Sequence, residues 1–105
     1  MNQSINYEER CVNFIRALFR LQDQWKKESA TIGKGCSFVE RVEGPEEIFI
    51  IRDRKSMRIG WIEDGTMHES KHYIRMKEPD LITDVPMMLT HYLIFLKQYQ
   101  KGAAA

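Results

Sequence analysis

His68-Glu69-Ser70-Lys71-His72 places two imidazoles four residues apart, with a carboxylate beside the first. On an α-helix that spacing puts both histidines on one face, where they can grip one zinc ion while Glu69 acts as base on a metal-bound water. On a β-strand the same two imidazoles stand about 13 Å apart, at roughly 3.3 Å per residue, which no single metal bridges. The chemistry therefore turns on whether residues 66–77 form a helix or a strand.

Thr66-Met67-His68-Glu69 fits a helical capping box. Against the helix, Met67, Tyr73, Ile74 and Met76 make no helical stripe, and Asp64-Gly65 supplies the two positive-φ positions of a type I′ hairpin turn. The strand is the expectation. The pentapeptide resembles the metal-binding motif of the zincin metallopeptidases, which would imply a minimal zinc hydrolase with His68 and His72 as ligands and Glu69 as base. The longer metzincin pattern wants a glycine and a third ligand where this chain has Arg75 and Glu78. The gluzincin pattern wants a glutamate on a following helix, for which only His91 or Asp84 could substitute. No metal or cofactor is expected outside this alternative.

A second constellation lies on the opposite side of the same strands. A two-residue turn sets Glu63 opposite Thr66, Trp61 opposite His68, Gly60 opposite Glu69, Arg58 opposite Lys71 and Met57 opposite His72. Arg54, Arg58, Lys71, Tyr73 and Arg75 then share a basic, partly aromatic face suited to phosphate or to an acidic protein partner. Nucleic acid is disfavoured because Glu40, Glu46, Glu47, Glu63 and Asp64 lie on the same sheet or its turns.

The elements that position these groups follow from periodicity. Residues 47–76 read as three successive strands, with Asp53 to Ser56 as a four-residue loop and Phe49 opposite Gly60, covering it. Met57, Ile59, Trp61, Ile74 and Met76 fall on one face with His68 and His72, and Ile48 and Ile50 join them. Cys36 to Val42 forms an earlier strand, turned by Gly44-Pro45, whose register is open because a bulge would swap the faces of Phe38, Val39 and Val42. A first helix starts near Ile5 under a Ser4 cap and ends near Lys27 or Glu28. Its apolar residues, with Val12 and Phe19, cover over half its circumference and call for burial on more than one side. A last helix is capped by Thr83 or Asp84, tolerates Pro86, and ends where Gly102 supplies a left-handed cap. Phe14, Phe19, Trp25, Trp61 and Tyr92 are core candidates.

Gly33-Lys34-Gly35 lacks the spacing and the strand-to-helix setting of a phosphate loop. Net charge is +1 with 30% charged residues, so no overall field draws the chain to nucleic acid or to an anionic membrane. Cys11 and Cys36 sit in unrelated contexts and read as reduced thiols. No stretch suits a signal peptide or a membrane span, which makes the cytoplasm the default location. Ala103-Ala104-Ala105 resembles a cloning scar and is set aside. The expectation is one α+β domain over residues 1–102: helix, four-stranded antiparallel meander, helix, with both helices on one face of the sheet. The function expected is that of a small non-enzymatic accessory or inhibitor-type protein working by protein–protein contact as a homodimer. A zinc-dependent hydrolase and a phosphate or nucleic-acid binder stand as alternatives.

Overall fold

The computed structural model describes residues 6–28, 30, 37–75 and 81–104. Helix α1 (Tyr7–Glu28) is followed by strands β1 (Phe38–Val42), β2 (Ile48–Arg52), β3 (Ser56–Glu63) and β4 (Thr66–Arg75), then by helix α2 (Leu81–Ala104). The strands form an antiparallel meander in the order β1-β2-β3-β4. Both helices pack on the same face of it.

The turns explain the meander. Asp64 and Gly65 adopt φ values of 53° and 76°, the paired positive angles that let a two-residue loop match the twist of β3 and β4. Between β2 and β3, Asp53 Oδ1 accepts hydrogen bonds from the backbone N–H of Lys55 and of Ser56, both at 2.8 Å. A short acidic side chain thus replaces the strand ladder at the corner.

The helix-facing side of the sheet carries Val42, Ile48, Ile50, Met57, Ile59 and Ile74. They pack against Phe14, Ala17, Leu18 and Leu21 of α1 and against Met88, Tyr92 and Leu96 of α2. Phe14 and Tyr92 stack with centroids 4.4 Å apart, so the helices close the core by touching each other. Arg10 and Glu46 form a two-pronged ion pair that fixes the start of α1 to the β1–β2 turn. Arg20 Nε donates to Glu40 Oε1 at 2.7 Å and fixes the other end of α1 to β1.

Several expectations are corrected. Asn6 caps α1, its Oδ1 accepting from the Glu9 N–H at 3.1 Å; Ser4 lies outside the described residues. Val12 and Phe19 are 41% and 48% exposed, because only one flank of α1 meets the sheet and α2. Thr83 and Asp84 stand inside the first turns of α2, and the helix runs through Gly102. Cys36, Met76 and Glu78-Pro79-Asp80 are outside the described residues. The β1 register resolves with Val42 opposite Ile48 and Phe38 opposite Arg52.

The main correction concerns β3 and β4. The expected pairs hold from Glu63↔Thr66 to Gly60↔Glu69, but between Arg58 and Gly60 the register shifts, giving Arg58↔Tyr73 and Met57↔Ile74. Ser70, Lys71 and His72 thus span the step that β3 makes with Ile59 alone. Two extra residues keep the side-chain alternation in phase, so Ile74 still faces the core. Arg58 does not oppose Lys71, and the like-charge pair is absent.

Candidate interaction surface

Strand alternation gives the sheet a second face, which neither helix covers. Three cross-strand rows make it up. Val39, Ile51, Arg58 and Tyr73 form one. Arg41, Phe49, Gly60 and Glu69 form the next. Ile62 and Met67 are paired in the third, where the Ile62 N–H donates to the Glu47 carbonyl at 3.1 Å.

Ile51 is buried on this open face, 3% exposed, because it lies down across Gly60. A Cβ at Gly60 would stand 2.6 Å from Ile51 Cδ1 and 3.2 Å from Met67 Sδ. Phe49 is opposite Gly60, as the sequence implies. The side chains nearest to the glycine, however, are those of Ile51 and Met67 rather than the aromatic ring. The centre of the face is therefore low and apolar, with Val39, Met67 and Tyr73 exposed around it.

Arg58 crosses this apolar ground without a free charge. Its Nη1 donates to Asp53 Oδ2 and to Ser56 Oγ, and its Nη2 donates to Glu69 Oε1, each at 3.1 Å. Burial works to lower the Arg58 pKa, but Glu69 and Asp53 outweigh it and hold it above the ordinary arginine value. Burial likewise works to raise Asp53, yet the Lys55 and Ser56 N–H groups and Arg58 hold its carboxyl below the usual range. The network suits burial under a second layer, since its charges are already paired.

Of the proposed basic face, Arg58 and Tyr73 are brought together as cross-strand partners, and Lys71 is exposed on β4. Arg54 lies in the β2–β3 turn, and the Arg75 side chain is outside the described residues. Asp53 and Glu69 pair with Arg58, while Arg41 and Lys71 are exposed cations on a face whose centre is apolar.

His68 and His72 both fall in β4, a strand, which separates them along the sheet instead of pairing them. The His72 side chain is outside the described residues. His68 stacks on Trp61 at 5.6 Å, and Trp61 contacts Phe95 of α2 at 5.0 Å, so this histidine forms the rim of the core layer. Among the described residues there is no group of three side chains able to hold a metal. Glu69, the base of the hydrolase alternative, is engaged by Arg58 on the opposite face.

Sequence reasoning missed Arg52. It shares alternation with Ile48 and Ile50 and so points under the helices, where it is 2% exposed. Its guanidinium carbon lies 4.3 Å from the centre of the Trp25 ring. Nε and Nη1 have no hydrogen-bond partner. Burial pushes its pKa down to about 10, against the opposing field of Asp84. The parity was readable; the strong prior that an arginine at a strand end reaches water hid it.

Among described residues no helix is long and apolar enough to cross a membrane. Compared with protein-family models, curated proteins and solved structures, the chain matches none of them.

Proposed function

We propose that this chain is a small non-enzymatic accessory or inhibitor-type protein that acts by protein–protein contact and self-associates through the uncovered face of its sheet. The observation that carries the reading is that face: Val39, Phe49, Ile51, Ile62, Met67 and Tyr73 crowd one side of a sheet whose other side is fully used by α1 and α2. Val39, Met67 and Tyr73 are exposed around the half-buried Phe49 and Ile62 and the buried Ile51, an apolar centre that a partner surface can cover. The helix surface is a weaker candidate. Its exposed apolar residues, Val12, Phe19, Met87 and Ile94, are spaced seven apart on each helix among polar neighbours.

The test is a dilution series followed by backbone NMR. Concentration-dependent shifts confined to Val39, Phe49, Ile51, Ile62, Met67 and Tyr73 support the reading. Shifts confined to Val12, Phe19, Met87 and Ile94, or spectra that do not change with concentration, overturn it.

A further inference from the structure

We infer that the occupant of the open face is a second copy of this chain, stacked sheet on sheet about a two-fold axis parallel to the strands; the inference rests on the self-association proposed above. The argument is the self-complementarity of the rows. A two-fold axis along the strand direction, centred between β2 and β3, lays β1 of one copy over β4 of the other and β2 over β3. Each residue then meets the residue reached by reading its own row backwards.

Applied to the middle row, this operation sets Arg41 against Glu69 at both ends of the interface and Phe49 over Gly60 twice in the centre. The two charges that end this row face their opposites, and in the third row the exposed Glu47 comes over Ile62 at the rim. Arg41 makes no ion pair among the described residues, whereas Glu69 keeps half its side chain exposed while bound to Arg58 and can accept a second guanidinium. The Phe49 ring comes down where Ile51 and Met67 fold across the missing side chain, the lowest part of the face. In the next row Val39 meets Tyr73, an aliphatic against an aromatic, and Ile51 meets the aliphatic stem of Arg58, whose head is already neutralised by Asp53 and Glu69. A two-fold axis across the strands would instead keep each strand over itself, stacking Arg41 near Arg41 and Glu69 near Glu69, which is unfavourable.

The area sets the strength. Four strands about 4.8 Å apart and three rows about 6.7 Å apart give about 400 Å² of sheet per copy. That is about half of what a standard stable interface uses on each side, so the expected dissociation constant is micromolar rather than nanomolar. Aligned sheet stacking at a small crossing angle follows from the twist that each sheet already has.

The test uses site-specific crosslinking of the full chain in a Cys11→Ala, Cys36→Ser background first confirmed by sedimentation to self-associate as the parent does. Val39→Cys is made in one sample and Tyr73→Cys in another, one of them carrying a mass tag, and both are treated with a short bis-maleimide separately and mixed. The expected result is a crosslinked dimer in the mixture and none in either variant alone. In the proposed geometry two Val39 positions lie three strand spacings apart sideways, about 14 Å, besides the gap of about 10 Å between the sheets. Phe49→Asp should weaken dimerisation by about tenfold or more, since it puts a charge at the centre of the interface.

Crosslinking within Val39→Cys alone or Tyr73→Cys alone would overturn the axis while leaving self-association through this face intact. A dimer that crosslinks in no sample and tolerates Phe49→Asp would place the interface elsewhere and overturn the inference. A chain that stays monomeric at millimolar concentration would overturn both this geometry and the function it rests on, and would leave the face to a different protein.

Discussion

Replacing Arg52 by methionine should stabilise this protein. Arg52 is a cation held 2% exposed on the helix-facing side of β2. Two of its guanidinium nitrogens have no hydrogen-bond partner. Burial lowers its pKa to about 10, equivalent to roughly 3 kcal/mol of unfavourable burial. Two terms oppose the gain. The guanidinium loses its position over the Trp25 ring, worth roughly 1–2 kcal/mol in a dry site. Asp84 loses a favourable field, but it lies in the first turn of α2, where exposed N–H groups favour a negative charge. Methionine keeps the length and the contact with Trp25 without the charge, so the net expectation is roughly 1–2 kcal/mol in favour of Arg52→Met. In urea unfolding, with a slope of roughly 1 kcal/mol per molar, the midpoint should rise by about 1–2 M with the slope unchanged. A midpoint that falls by half a molar or more at constant slope would refute the reasoning and show that Arg52 is held by interactions worth more than its burial costs.

Gly60→Ala should lower stability by about 1–2 kcal/mol, because the new methyl displaces Ile51 Cδ1 from 2.6 Å; thermal melts read this, and methyl NMR should show Ile51 moving. Asp53 has its folded pKa depressed below the unfolded value, so its contribution is complete above about pH 4 and is lost as pH falls below that. Asp53→Asn should therefore lower the melting temperature at pH 7 and flatten its decline between pH 4 and pH 2. Tyr92→Phe should change stability by less than about 0.5 kcal/mol, since the buried hydroxyl makes no hydrogen bond of good geometry although the Arg10–Glu46 pair lies near it. A loss of about 2 kcal/mol in urea unfolding would show that Arg10 does hold that oxygen.

How much of this was legible in the sequence depended on whether the deciding interaction was local. Asp64-Gly65 announced the hairpin because the two positive φ angles are a property of those two residues, and the register nearest the turn followed, down to Trp61 beside His68. The four-residue corner at Asp53 was legible for the same reason. The bulge was not, because nothing in Ser70-Lys71-His72 demands it; it is resolved by the match of Ile74 to Met57 and of Tyr73 to Arg58 across the sheet. A signal did exist, in the like-charge pair of Arg58 and Lys71 that the unshifted register would force. Phe19 misled for the opposite reason, since an aromatic on a helix is usually buried, and only the position of α2 decides which flank is covered. The shifted register changes the reading of the outer face. Shifting β4 by two residues takes Lys71 away from Arg58 and sets Tyr73 opposite it instead, while Glu69 and Asp53 close around Arg58. The centre of that surface is apolar, and Arg58 within it is paired. Its remaining charges at the row ends, Arg41 and Glu69, are of opposite sign, which is the arrangement that a two-fold axis along the strands can satisfy with a second copy.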